Sequence, residues 1–143
     1  MSSVTLLIAT GEFSVNNAIR NALYGKDYSI ISADNGRKCL DLFKGETPGA
    51  VILDTQISDC DGLTVLREII RVSDTPVICV SSSCDSVDKV LYLEMGADDF
   101  ITIPFDNREF HARVKAVLRR YIKGKNPVSK ELVFRSLSIN LSN

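Results

Sequence analysis

Hydrophobic residues recur along the chain in two alternating rhythms. Short apolar runs, VTLLIA (4–9), YSIISA (28–33), AVILD (50–54), PVICVS (76–81) and FITI (100–103), are rich in Val and Ile, and most do not alternate with polar residues. Strands of that kind need cover on both faces, as in a parallel sheet sandwiched by helices. Between the runs lie stretches at helical spacing. They are Val15, Ala18, Ile19, Ala22 and Leu23, then Cys39, Leu40 and Phe43 after an Asn35–Gly36 turn, then Leu63, Leu66, Ile69 and Ile70. Val87, Val90, Leu91 and Met95 form a fourth, and Phe110, Val114, Val117 and Tyr121 a fifth, with Arg113, Lys115, Arg119 and Arg120 off its stripe. Strand and helix thus alternate five times. This predicts an α/β fold with a doubly wound, five-stranded parallel sheet, because each parallel crossover needs a helix to return the chain.

The fifth helix is predicted to end near Ile122, so that residues 1–122 form one domain. KGKNPVSK (123–130), polar and basic with Gly and Pro, reads as a linker. ELVFRSLSINLSN (131–143) alternates apolar and polar positions and reads as the first strand of a further unit, truncated before it could fold.

At 143 residues, with 45% hydrophobic and 24% charged positions, the chain suits one domain with a substantial core and excludes global disorder. No apolar run approaches the roughly 20 residues that span a bilayer, and MSSVTLLIAT lacks the basic leader of a secretory signal. Cys39, Cys60, Cys79 and Cys84 are unevenly spaced, with a single His and no C-x-x-C pair, so neither a zinc site nor a disulfide framework is expected. The expectation is a reduced, cytoplasmic protein with no membrane contact. Charge adds one feature. Residues 106–143 carry nine Lys/Arg against three Asp/Glu, whereas residues 1–105 carry eight against fifteen. A basic tail on an acidic body fits nucleic-acid contact, pairing with acidic surfaces of a second copy, or simply a solvated helix face.

In open parallel sheets the ligand crevice lies beyond the carboxyl ends of the strands. Those ends are Thr10-Gly11-Glu12, Asp54-Thr55-Gln56, Ser81-Ser82-Ser83 and Ile103-Pro104-Phe105. A lone carboxylate is expensive to bury, which makes Asp54, closing an apolar strand, the leading functional candidate. No glycine-rich phosphate loop follows the first strand, and no Ser-His-Asp set is credible with His111 on a distant helix. His111 reads as an ordinary, partly exposed histidine.

The block VILDTQISDCDGLTVLREI, then TPVICVSSS, then VLYLEMGADDFITIPFDNREFHARVKAVLRR resembles the receiver domain of bacterial two-component response regulators, a flavodoxin-like (βα)5 fold. It is most similar to the OmpR/PhoB class, which carries a winged-helix DNA-binding domain, and residues 131–143 resemble that domain's opening. The resemblance places the phosphoacceptor on Asp54, the phosphoryl-sensing hydroxyl on Ser81, the switch aromatic on Phe100 and the proline after the family's lysine on Pro104. Four positions depart. The acidic pair falls on Thr10 and Gly11, leaving only Glu12 beside it, and the lysine falls on Ile103. The usual proline four residues after the phosphoacceptor is Ser58.

Aspartyl phosphorylation joins an anionic carboxylate to an anionic donor, so its catalysis is positioning and charge neutralisation. Magnesium supplies much of that and wants near-octahedral oxygen ligands, usually including carboxylates. Thr10 and Gly11 provide none, and Ile103 cannot pair with a phosphoryl oxygen as a lysine does. The resemblance therefore implies a non-enzymatic, atypical receiver that acts without magnesium-dependent phosphorylation and binds no cofactor. It would dimerise through its fourth helix, fifth strand and fifth helix, using Lys89, Asp98, Asp99, Glu109, Arg113, Lys115 and Arg120. Acidic 98–99 would face basic 113–120 of the second copy around a small centre of Val90, Leu91 and Phe110. DNA would be reached through the further C-terminal domain. Two alternatives stay open: a conventional switch in which a histidine kinase or small phosphodonor phosphorylates Asp54 with Glu12 standing in for the lost acids, and a small-molecule sensor using the de-charged pocket.

Overall fold

The computed structural model describes residues 4–82 and 86–125. Five strands and five helices alternate: β1 (Val4–Ala9), α1 (Phe13–Ala22), β2 (Tyr28–Ala33), α2 (Gly36–Glu46), β3 (Ala50–Asp54), α3 (Gly62–Val72), β4 (Val77–Ser81), α4 (Ser86–Glu94), β5 (Asp99–Thr102) and α5 (Asn107–Lys125). The strands form one sheet in the order β2-β1-β3-β4-β5, with every neighbouring pair parallel. The doubly wound parallel sheet read from the apolar runs is therefore the fold.

Three elements differ in their bounds from the sequence reading, and the first is β4, which begins at Val77 rather than Pro76. β5 begins one residue earlier, at Asp99, and leaves Ile103 beyond the strand. α5 continues past Ile122 to Lys125, three residues into the predicted linker. The remainder of that linker and the whole of 131–143 lie outside the described residues.

Alternate strand residues feed two cores. Leu7, Ala9, Val51, Leu53, Cys79 and Phe100 face the layer of α2, α3 and α4, with Cys39, Phe43, Leu66, Ile69 and Tyr92. Leu6, Ile8, Ile52, Ile78, Val80 and Ile101 face α1 and α5, with Val15, Ile19, Phe110, Val114 and Val117. All of β3 is buried, which is why its sequence does not alternate. Each large aliphatic side chain so covered contributes about 1.5–3 kcal/mol.

The fourth helix departs from its expected stripe. Val90 and Leu91 are 52% and 42% exposed, and Tyr92 turns inward instead to meet Phe100, ring centroids 5.8 Å apart. Spacing alone does not decide which side of a weakly amphipathic helix packs. The side chain of Val87 lies outside the described residues. Phe110 is fully buried, so it cannot sit at the centre of a surface contact.

Local chemistry sets the helix starts. Asn35 caps α2 by accepting from the Lys38 amide at 2.8 Å, and Asp61 caps α3 by accepting from the Thr64 amide at 2.9 Å. Gly62 opens α3 against the end of β3, where a Cβ would lie 2.8 Å from Thr55 Cα.

Candidate functional site

Strand order reverses between β1 and β3, so the crevice at a topological switch point opens over their carboxyl ends. The parallel register pairs Ala9 with Leu53, which brings Thr10 and Asp54 side by side at that edge. Thr10 Oγ1 donates to Asp54 Oδ2 at 2.7 Å, and the Gln56 amide donates to Asp54 Oδ1 at 2.9 Å. Thr10 Oγ1 in turn accepts from the Glu12 amide at 3.1 Å. Asp54 is 4% exposed, Thr10 3% and Ser81 2%; among the described residues these are the buried polar side chains. Both carboxylate oxygens thus have a protein donor, and this is what makes the buried group tolerable. The pairing of Asp54 with Val80 sets Ser81 one residue farther along the same edge.

The other expected site residues are placed less uniformly. Gly11 is crowded: a Cβ there would lie 3.1 Å from the Asp34 carbonyl oxygen and 3.2 Å from Ser58 Cβ. The Ser58 hydroxyl itself donates to Asp34 O at 2.9 Å. Glu12 is exposed at the start of α1. Ile103 packs against the α1/α5 core, with its amide donating to Ser81 O at 2.8 Å. Pro104 is exposed, and Phe100 is buried in the opposite core. The crevice therefore gathers Thr10, Asp54 and Ser81, while Ile103 and Phe100 belong to the two packed faces.

Magnesium, which the receiver resemblance implies, does not fit this donor set. One carboxylate reaches the crevice with both oxygens already engaged, its neighbours are a hydroxyl and a glycine, and Glu12 points to solvent. No group of three or more His, Cys, Asp and Glu suited to a metal ion occurs among the described residues. Cys39 and Cys79 are held as thiols by burial, which pushes each to about 12, Cys60 and Asp59 adding to the first and Asp98 to the second.

The charges on α4, β5 and α5 divide into three groups. Arg113 spends its guanidinium within the chain, with Nη1 on Asp99 Oδ1 and Nη2 on Glu109 Oε2, both at 3.0 Å. Lys89, Glu109 and Arg113 line one groove of about 260 Å³. Asp98 accepts from the Val77 amide at 2.9 Å; burial raises its carboxyl pKa, with the Val77 amide and Arg120 opposing. Lys115 lies elsewhere, in a groove between α1 and α5. The sequence reading missed that groove and the contact between His111 Nε2 and the Tyr28 hydroxyl, 3.1 Å apart, because it joins residues 83 positions distant. No helix among the described residues is long and apolar enough to cross a membrane.

The family model of the response regulator receiver domain matches residues 6–115. A probable transcriptional regulator ycf27 from Porphyridium aerugineum is 36% identical over 126 residues, covering 88% of this chain and 52% of that protein. Its counterpart from Guillardia theta is 38% identical over 115 residues, 80% of this chain and 45% of that one. The Cyanidium caldarium counterpart is 35% identical over 140 residues, 95% of this chain and 56% of that one. The chain spans about half the length of these curated relatives. Among solved structures, a putative response regulator from Chloroflexus aurantiacus superposes with TM-score 0.77 at 27% identity, over 82% of this chain and 99% of that one. A CheY-like receiver domain protein from Methanospirillum hungatei gives 0.79 at 20% identity, over 85% and 98%, a likeness of fold.

Proposed function

The chain belongs to the response regulator receiver domain family, and on that footing we propose that it is the receiver part of a transcriptional regulator that works without magnesium-dependent phosphorylation of Asp54. In this reading it is not an enzyme and takes no cofactor. It is a dimerisation module that sets two DNA-binding domains on adjacent half-sites. The observation that carries the reading is the 2.7 Å hydrogen bond from Thr10 to Asp54. A hydroxyl there gives one carboxylate oxygen a hydrogen bond but carries no charge to offset what a phosphoryl group would add. Gly11 supports the same reading: the second acidic position carries no carboxylate, and a Cβ there would press on the Asp34 carbonyl oxygen and Ser58 Cβ, at 3.1 and 3.2 Å.

Dimerisation is proposed through α4, β5 and α5. Support comes from Val90 and Leu91, exposed on α4 beside Lys89, with Arg113 and Glu109 across the groove. Arg113 is already paired inside the chain, so its role is to order Asp99 and Glu109 rather than to bring a free charge to the partner. DNA binding is assigned to a C-terminal domain. The Cyanidium match, which runs over 140 residues and so well beyond the family model's end at residue 115, supports a regulator of that two-part kind.

Magnesium titration of the chain, followed through the backbone amide signals of Thr10, Asp54 and Gln56, tests the central part. The expected result is no saturable shift at millimolar magnesium. A saturable change centred on those three amides contradicts the proposal.

A further inference from the structure

α1 and α5 pack side by side and leave a groove of about 240 Å³ between the end of α1 and the first turns of α5. Lys26, Arg108 and Lys115 stand around it, with Asn107, the half-buried ring of His111 and Tyr24, which is 86% exposed. No carboxylate is among its lining residues, and no ion pair engages any of the three cations among the described residues. Lys26 comes from the acidic body of the chain and adds a cation to the basic helix at this point, while Asp27 next to it acts on Tyr28. The His111 ring is fixed edge-on to Tyr28, centroids 5.6 Å apart, and its Nε2 is engaged by the Tyr28 hydroxyl. Burial first, then Lys115 and Lys26, holds the His111 pKa below the usual imidazole range.

We propose that this groove binds the di- or triphosphate chain of a nucleotide, with Tyr24 as the platform for its base. A guanidinium fork and two mobile ammonium groups around one concavity suit phosphate oxygens, which form the stronger, charge-assisted hydrogen bonds. Its volume is small against the roughly 300–1,000 Å³ of whole-ligand pockets, so it takes the phosphates and leaves the base at the open mouth. An exposed aromatic ring there stacks with any base, since every base presents a π-face. None of the residues involved belongs to the Thr10–Asp54 crevice, so the site does not depend on the state of Asp54.

The test uses the 143-residue chain without magnesium, with ATP, GTP and inorganic triphosphate as ligands and sodium sulfate at matched ionic strength as the control. The sequence has one histidine, so the His111 ring signals are unambiguous reporters by NMR. ATP, GTP and triphosphate are expected to raise the His111 pKa, because an anion opposes Lys26 and Lys115. The nucleotides are expected to bind about tenfold tighter than triphosphate, an advantage that Tyr24→Ala abolishes. Lys26→Gln with Lys115→Gln is expected to weaken all three by at least about tenfold, while thermal unfolding stays that of the parent. A sulfate shift equal to that of triphosphate reduces the effect to screening and overturns the site. Unchanged binding by the double variant overturns it as well, and equal affinity for triphosphate and ATP overturns the nucleotide assignment.

Discussion

Thr10 and Asp54 lie 44 residues apart in sequence and share one buried hydrogen bond of 2.7 Å. It forms because β1 and β3 run parallel with Ala9 beside Leu53, so the next residue of each strand ends at the same edge. A buried carboxylate that loses one of two donors bears the desolvation cost of the freed oxygen, about 1–3 kcal/mol. Thr10→Val keeps the volume and removes the donor, so it is expected to lower unfolding stability by that amount, whereas Thr10→Ser costs less. Urea denaturation of the two variants against the parent measures the difference.

Crowding at position 11 gives a second expectation. A Cβ there meets the Asp34 carbonyl oxygen at 3.1 Å and Ser58 Cβ at 3.2 Å. Gly11→Ala is expected to destabilise the fold by about 1 kcal/mol, as overpacking does. Adding Ser58→Gly removes one of the two obstacles and is expected to recover part of the loss. Additive effects in the double-mutant cycle would show that the two positions do not touch.

Much of this was legible in the residues, and the limits have physical causes. β3 could be read as a buried strand because AVILD is apolar throughout, and Asp54 stood out because a carboxylate closing such a strand needs a reason. That Thr10 supplies the reason was not legible, since the sequence shows a missing carboxylate but not the hydroxyl's direction. α4 was misread for a related cause: Val90, Leu91 and Tyr92 are consecutive apolar residues, and only the position of Phe100 decides which of them turns inward. The charges expected to face a partner were identified by sign alone. Their sign does not reveal that Arg113 is held by Asp99 and Glu109 of its own chain, or that Lys115 stands on the α1 side of α5.

The proposed dimer has its own test. Lys89→Glu is expected to weaken self-association, and Glu109→Lys added to it to restore part, because both line one groove beside the exposed Val90 and Leu91. Exposed pairs are worth under about 1 kcal/mol each, so the effect on monomer stability stays small while high salt loosens the dimer moderately. Sedimentation at tens of micromolar is the measurement. A monomer there, or a dimer indifferent to Lys89→Glu, contradicts the interface.

Acid stability follows from His111. Burial first, then Lys115 and Lys26, holds its pKa below the unfolded value of 6.5. The unfolded chain therefore takes the proton first. His111's contribution is complete above pH 6.5 and declines as pH falls from there through its lower folded value. His111→Asn is expected to flatten that part of the stability curve. Asp59 and Asp61, held low chiefly by the Gly36 and Thr64 amides, act only at more acid pH. A parent curve already flat across the histidine window contradicts this assignment.

The central claim is that Asp54, capped by Thr10 beside a glycine, does not take a phosphoryl group. Intact mass spectrometry after incubation with acetyl phosphate and millimolar magnesium tests it most directly. The expected spectrum is that of the unmodified chain. A stoichiometric gain of about 80 Da, one phosphoryl group, that is absent in Asp54→Asn would contradict the account.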